Sequence, residues 1–450
     1  MFGGGSLATI HPIGEARLKQ RVGLLGVVMF GAGTAIGVSI FSVLSPAAKA
    51  AGSGLLIAIA LAIVPMILFA AVYSFLASAL PKSGASYEWP RRFLHPSVGF
   101  LVSWLRILSN VGALVVLSLV LVNYLSAIIT VPQRPAMAVI LSAIFLLNFF
   151  GVSVAARAQT LLMLVLLGAL AIFAVSGAPK ISWVTIGSPF AVGWPAIFAS
   201  VPLLISLFLG IETAAEIGEE IRDPQRTIPR GISLAVLLTA VVYLIIAIVA
   251  LGLVGPERLA TSTAPLLDAA KVCMGSWAAP LILGAACVSI LKTLNSTILV
   301  FSRAIFAMGR AGALPHAVAR IHPRFGTPHI ALAFCYVAAM LGLFMPSELT
   351  FLLLAVNIPT ILKYMCSSLS AVRIAKHHPQ IWSRAVFRPE RKTVMVLGGL
   401  SVAAGFGLLV AGLGADWRPY ALISGWAVIG ILYWLITARR RELPVHDHAA

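Results

Sequence analysis

The sequence predicts an all-α polytopic membrane protein with about twelve transmembrane helices. Of its 450 residues, 60% are apolar and only 10% are charged, and the mean hydropathy is +1.01. Soluble domains carry about 25% charged residues, so most of this chain must face lipid or other buried helices. The apolar runs extend from end to end, which predicts a single membrane domain without an attached soluble module.

Apolar runs of roughly 20 residues mark the predicted spans, because a helix of about that length crosses a bilayer. They lie near 22–45, 54–80, 98–128, 135–151, 155–177, 194–217, 231–254, 277–309, 328–345, 349–372, 393–413 and 417–437. Most Lys and Arg residues fall in alternate loops, which predicts that both termini are cytoplasmic. The net charge of +18 is therefore interpreted as setting topology in a cell inner membrane, without nucleic-acid binding.

Two of the predicted spans carry helix-breaking residues. The first contains Gly31, Gly33 and Gly37, and the sixth contains Pro202 and Gly210. These spans occupy matching positions in two successive five-helix blocks, a pattern typical of inverted-repeat transporters. The predicted segments are a tail at 1–20, a first repeat at 21–177, a second repeat at 178–375, two additional helices at 376–438 and a tail at 439–450.

A break in the middle of a membrane helix exposes backbone groups that lipid cannot satisfy. The N-terminal end of a half-helix offers free N–H groups and a partial positive charge, which suits a carboxylate. The C-terminal end of the other half offers carbonyl groups, which suit an ammonium group. Two such breaks side by side therefore predict a site for a dipolar solute that needs few charged side chains.

Three ordered stretches carry a resemblance to a known family. They are GTAIGVSIF at 33–41, PKSGASY at 81–87, and FLGIE followed by EEIRDPQRTIPR within 208–230. They are similar to the glycine-rich first helix, the first cytoplasmic loop and the sixth-helix block of the amino acid–polyamine–organocation (APC) permeases. The resemblance implies the LeuT-like, or APC, fold: a 5+5 inverted repeat with discontinuous helices 1 and 6, plus two extra helices.

The resemblance also implies a substrate-binding site and a function. An amino acid's carboxylate would meet N–H groups near Gly37, Val38 and Ser39, and its amine would meet carbonyls near the positions listed at the end of this paragraph. Phe208 falls on a matched pocket position, with ordinary core packing as the other interpretation. The implied function is secondary active transport of amino acids by alternating access, proton-coupled or exchange. The carbonyl positions are Ala35, Ile36, Ser206 and Leu209.

The sequence departs from the family pattern at three positions. Ser39 replaces a usual glycine, Ser206 stands where several relatives have a gating aromatic, and Leu166 stands where many proton-coupled relatives have a lysine. Because a lysine inside a membrane is costly, it is a functional candidate. Lys292, beside Thr293 in the eighth span, is therefore expected to supply the internal cation that is missing at Leu166. Snorkelling of its ammonium group to an interface is the alternative.

Two further intramembrane charges have open roles. Lys363 in the tenth span is interpreted as a coupling cation, a partner for a second substrate carboxylate, or a snorkelling side chain. Glu212, just past the sixth-helix break, is interpreted as a proton carrier or as a carboxylate that ties down the half-helix. Glu216, Glu219 and Glu220 are expected to form a cytoplasmic gate facing Arg-rich loops.

Other function classes leave weaker signals. The sequence has no metalloprotease, serine-hydrolase or phosphate-loop motif, so an enzyme is not expected. No cofactor or metal is expected, and the partners are a small-molecule amino acid substrate, the lipid bilayer and, in the proton-coupled case, protons. A polyamine, another organocation or a carboxylate stays open as the substrate, as does a nutrient sensor that binds without transport. Substrate identity, coupling ion and oligomeric state are left undetermined.

Overall fold

The computed structural model describes residues 20–37, 39–126, 131–150, 152–262, 264–344, 349–413 and 417–438. Within these ranges no β-strand forms, and the only bridges are Val22 with Ile221 and Ser83 with Ile217. The α-helices are α1 Leu24–Ala35, α2 Ser39–Ser42, α3 Leu44–Ala51, α4 Leu55–Ala79, α5 Ala85–Phe93, α6 Pro96–Ser126, α7 Gln133–Phe149, α8 Val152–Gly177, α9 Trp183–Ile186, α10 Gly193–Ile205, α11 Pro224–Thr261, α12 Pro265–Met274, α13 Ala278–Arg310, α14 His329–Gly342, α15 Leu349–His377, α16 Pro379–Arg384, α17 Arg391–Leu413 and α18 Arg418–Ala438.

Eight helical stretches in the described ranges are long and apolar enough to cross a membrane. They are Leu24–Phe41, Ala47–Ala79, Pro96–Val122, Arg157–Lys180, Pro224–Thr261, Pro265–Arg310, Arg391–Val410 and Arg418–Thr437. Two shorter apolar helices, Gln133–Phe149 and His329–Gly342, accompany them. Helix is present in each of the twelve predicted spans. Because only eight stretches have the length and hydropathy of a span, the count of twelve stays a prediction.

The long helices are apolar on both their packed and their exposed sides. In α4, Tyr73 is fully buried, whereas Val64 and Ile67 are each more than half exposed. A helix that is apolar all round would be unstable in water, but it suits a membrane, where lipid covers the outward face. The exposed aliphatic side chains of α11, α17 and α18 repeat this pattern. The fold is therefore all-α and suited to crossing a membrane several times.

Helix α1 lies at the centre of the bundle, where it packs against α8, α11 and α13. Small residues permit this close approach: a Cβ atom on Gly31 would lie only 2.9 Å from the Cβ of Ala235 and 2.7 Å from the Ile211 carbonyl oxygen. Close packing through small residues is the usual way in which membrane helices associate. This close packing places α1, which carries the first predicted break, against the chain of the predicted sixth span.

Candidate functional site

The first predicted break is present. Helix α1 ends at Ala35 and α2 begins at Ser39. Between them Ile36 leaves the helical region, with φ −75° and ψ 66°, and the Gly37 N–H donates to Ala35 O at 2.7 Å instead of continuing the helical ladder. The Gly33 carbonyl, which Gly37 would pair with in an unbroken helix, is therefore free for another donor. Val38 lies outside the described residues.

The second break is also present, and it falls at Gly210 rather than at Pro202. Helix α10 runs through Pro202 to Ile205 and is followed by 3₁₀ turns at Ser206–Phe208 and Ile211–Glu216. Gly210 has φ 105°, a backbone conformation that favours glycine. Its carbonyl accepts the Thr213 N–H at 2.9 Å, and its N–H donates to Glu212 Oε2 at 3.1 Å. Glu212 therefore caps the break from within its own segment.

The two breaks lie side by side. A Cβ atom on Gly31 of α1 would lie 2.7 Å from Ile211 O, which directly follows the second break, and a side chain on Gly210 would overlap Thr34. Phe208 is fully buried and Leu209 is partly buried at this contact. The main-chain positions predicted to bind substrate are thus brought together, while the side chain of Ser206 lies outside the described part of the structure.

Lys292 reaches the first break from α13. Its side chain is fully buried, and its ammonium group donates to the carbonyl oxygens of Gly33 and Ile36. Ser289 donates to the Ile36 carbonyl as well, at 3.2 Å. The C-terminal end of a helix carries partial negative charge, so a cation is stabilised there. In the described residues no carboxylate forms an ion pair with Lys292, so main-chain oxygens are its partners.

Thr293 lies near the same break, and Leu166 is buried in α8. A Cβ atom on Gly37 would lie 2.7 Å from Thr293 Oγ1, so Thr293 lies against the first break. Its hydroxyl donates to the Ser289 carbonyl at 2.9 Å. Leu166 is fully buried, and it offers no donor. The ammonium group at the break therefore comes from Lys292 of α13.

Lys363 and Glu212, whose roles the sequence left open, form a buried ion pair. Lys363 Nζ donates to Glu212 Oε1, and both side chains are almost completely buried. The same ammonium group lies 4.5 Å from the ring centroid of Tyr364 and 5.8 Å from that of Tyr73. Aromatic faces attract cations. The arrangement excludes snorkelling for Lys363, since its head group is buried and paired with the second break.

Tyr243 contributes a contact that sequence reasoning missed. From α11 its hydroxyl donates to the Ala35 carbonyl at 2.6 Å, and its ring packs edge-to-face with Phe208 at 5.7 Å between centroids. A tyrosine in an apolar span signals a buried hydroxyl that needs a partner. That signal was available in the sequence, but it does not say which carbonyl the hydroxyl meets.

Beyond the second break, three predicted gate residues pair with basic side chains of other helices. Glu220 and Arg303 are completely buried and form two hydrogen bonds, at 2.7 and 3.1 Å. Glu219 accepts two bonds from Arg310, each at 2.9 Å. Two-point contacts between Arg and a carboxylate are strong and directional. Segments far apart in the sequence are therefore joined by ion pairs at this end of the bundle.

The third predicted gate residue, Glu216, pairs with Arg106 of α6. Arg106 Nη1 lies 3.4 Å from Glu216 Oε1, and the Ser86 hydroxyl donates to the same carboxylate. The Glu216 carbonyl also accepts the Gly84 N–H at 2.9 Å. Gly84 and Ser86 belong to the PKSGASY stretch, so that loop packs directly against the segment after the second break.

Comparisons with known proteins agree with this architecture. The profile of the family described as "Amino acid permease" matches residues 22–415. An uncharacterized transporter of Mycobacterium tuberculosis (strain ATCC 25618 / H37Rv) is 37% identical, covering 69% of this chain and 70% of its own. The branched-chain amino acid permease BcaP of Bacillus subtilis (strain 168) is 25% identical over 95% of both chains. The glutamate/serine transporter AimA of the same organism is 22% identical over 90% of this chain and 79% of its own. The chain therefore belongs to the amino acid permease family.

Proposed function

We propose that this protein is a secondary active transporter of amino acids that works by alternating access in a cell inner membrane. The observation that carries the proposal is the close approach of the two broken segments, in which Thr34, just before the break at 36–37, lies against Gly210 at the second break. Breaks at this position give a dipolar solute both a donor end and an acceptor end. Twelve spans, a 5+5 repeat and cytoplasmic termini belong to the same proposal.

The geometry refines the proposed contacts of the substrate. Its carboxylate would bind the N-terminal end of α2 near Gly37, Val38 and Ser39. For its amine, the Ile36 carbonyl is a poor acceptor in this conformation, because Lys292 and Ser289 already use its two lone pairs. The Ala35 carbonyl is occupied in the same way, because it accepts hydrogen bonds from the Tyr243 hydroxyl and from the Gly37 N–H.

Two of the four predicted carbonyls, those of Ser206 and Leu209, thus remain for the substrate amine in this proposal. Ser206 and Leu209 lie in the turn that ends at the second break, where the helical ladder is interrupted. Phe208, packed on Tyr243, would form the apolar wall between these carbonyls and the bundle core.

We assign Lys292 the role of a tethered internal cation. An inorganic cation at the end of a half-helix would be coordinated by carbonyl oxygens, and the Lys292 ammonium group occupies that position on Gly33 and Ile36. Transport is therefore proposed to be independent of sodium and to be driven by protons or by exchange. Lys363 and Glu212 neutralise each other at the second break and are proposed to hold its shape.

The charges disfavour a polyamine or another organocation as substrate. Such a solute needs several acidic side chains, but Glu212 is paired with Lys363, and Lys292 adds a positive charge at the first break. A neutral or acidic amino acid fits this balance better. The paired gate carboxylates, Glu219 and Glu220, would have to separate from their arginines when the site opens to that side.

A test needs a readout that separates transport from binding. A thermal-shift screen of amino acids, amines and carboxylates on purified protein would identify a ligand by its stabilising effect. Counterflow of that labelled ligand into proteoliposomes, preloaded with unlabelled ligand, is then expected to exceed that of empty liposomes without any sodium present. Gly168→Ala serves as a control variant that should keep wild-type counterflow, since a Cβ atom at this position would meet nothing within 4 Å. Stabilisation without counterflow would identify a sensor and would contradict the proposal.

A further inference from the structure

A cavity of ≈630 Å³ opens beside the start of α1, away from both helix breaks. Its walls come from the chain entering α1, from the first half of α8 and from the segment that precedes α11. Three arginines line it, one from each wall: Arg21, Arg157 and Arg222. This end of the bundle is the one predicted to face the cytoplasm, at the level where lipid head groups lie.

In the part of the chain that the structure describes, the three guanidinium groups have no acidic partner. Among the described residues none of them forms an ion pair, and the residues that line the cavity include no Asp or Glu. Other arginines at the same end are paired, as Arg303 is with Glu220 and Arg310 with Glu219. Three unpaired cations around one cavity favour an anionic ligand with several acceptor oxygens.

The backbone holds two of these arginines in a fixed relation. The N–H groups of Arg21 and Val22 donate to the Glu220 carbonyl at 3.0 and 3.1 Å, and the Arg222 N–H donates to the Val22 carbonyl at 2.9 Å. The Glu220 side chain is itself bound to Arg303 in the core. The chain segments that carry Arg21 and Arg222 are therefore joined to each other and to the bundle, so this part of the site exists before a ligand binds.

The rest of the lining is apolar and faces outward. Leu25, Leu161 and Leu164 line the cavity, and their exposed fractions are 59%, 63% and 52%. When large aliphatic side chains on a membrane helix are exposed to this extent, lipid chains cover them. Inorganic phosphate would use the arginines alone, whereas a phospholipid would use the arginines and the leucines together.

We propose that this cavity binds an anionic phospholipid, with its phosphate among Arg21, Arg157 and Arg222 and an acyl chain along Leu25, Leu161 and Leu164. Basic pockets between membrane helices on the cytoplasmic side suit such head groups. The bound lipid would sit at the base of α1, where the backbone pairs with Glu220 beside the gate. The site is separate from the proposed substrate site, so its test does not require transport.

Native mass spectrometry of the purified protein, titrated with dioleoyl-phosphatidylglycerol or dioleoyl-phosphatidylcholine, tests the proposal. The wild type is expected to retain one phosphatidylglycerol in preference to phosphatidylcholine. Arg157→Gln/Arg222→Gln is expected to bind it about 30-fold more weakly, at about fivefold per basic residue near an anionic lipid. Arg226→Gln/Arg230→Gln removes equal charge from exposed positions outside the cavity and is expected to bind like the wild type.

Two further measurements distinguish a phospholipid from a free phosphate compound as the ligand of this cavity. Leu161→Gln/Leu164→Gln keeps all three arginines and is expected to weaken phosphatidylglycerol binding. In a thermal-shift assay, inorganic phosphate and glycerol 3-phosphate are expected to stabilise the wild type less than the lipid does. Equal losses in the cavity and control arginine variants, no preference for phosphatidylglycerol, or phosphate acting as strongly as the lipid would each overturn the proposal.

Discussion

Replacing Lys292 with methionine tests the proposed internal cation most directly. Methionine keeps an unbranched side chain of similar length but removes the ammonium group that donates to Gly33 and Ile36. The Ile36 carbonyl keeps its bond from Ser289 at 3.2 Å. The Gly33 carbonyl loses its donor, because Gly37 bonds to Ala35 instead. The variant therefore leaves one buried acceptor unsatisfied in this conformation.

The size of the effect follows from that one carbonyl. An unsatisfied buried acceptor costs about 1–3 kcal/mol, which corresponds to a shift of about 5- to 150-fold in an equilibrium. Burying the ammonium group also has a desolvation cost, but that cost cancels between any two conformations in which Lys292 stays buried. We expect Lys292→Met to shift the protein away from the conformation described here and to slow uptake by about tenfold or more.

The assay is uptake into proteoliposomes as a function of external pH, with and without sodium. Wild-type uptake is expected to be indifferent to sodium and, if protons drive transport, to depend on pH, whereas Lys292→Met should show a slower rate throughout. Lys271→Met is a matched control, because that lysine is largely exposed and its neighbour is Asp268. A variant with unchanged rate and an unchanged pH profile would refute the reasoning.

Four other substitutions probe the breaks by thermal unfolding in detergent. Gly210→Ala forces alanine to φ 105°, a strain of about 1–3 kcal/mol, so its unfolding midpoint should fall while that of Gly168→Ala does not; an unchanged midpoint would argue against a fixed break. Glu212→Gln and Lys363→Met each strand a buried charge, at about 3–5 kcal/mol, and the double variant should recover most of the lost stability; a double variant as unstable as either single one would exclude a structural pair. Tyr243→Phe should cost about 0.5–1.5 kcal/mol, and an equal or higher midpoint would mean that its hydroxyl contributes nothing.

Several site residues could be anticipated because their signal is local. Gly33, Gly37 and Gly210 interrupt apolar runs, and the structure breaks near each of them. Pro202 was an equally good candidate by residue type, yet it lies inside α10. Proline is tolerated in membrane helices because neighbouring groups can satisfy the freed carbonyl. Its sequence context alone therefore does not reveal whether it ends a helix.

The partners of the charged side chains within the spans could not be predicted from the sequence. Lys292 and Lys363 looked alike in sequence, since each is a lone lysine in an apolar span. The structure separates them: one ammonium group binds main-chain carbonyls of α1, and the other binds Glu212. These contacts join residues more than 150 positions apart, so they depend on how the helices pack.

The sequence by itself determined that the chain lies in a membrane and is helical. It also determined the resemblance to a permease family and the approximate positions of the two breaks. All of these follow from composition, run length and short stretches of chain, where neighbouring residues decide the outcome. Only the tertiary structure decided that the broken segments touch, that Lys292 lies at the end of α1, and that the gate carboxylates pair with Arg106, Arg303 and Arg310. The physical reason is that a buried charge must find a partner in space, and helix packing alone fixes which group is within reach.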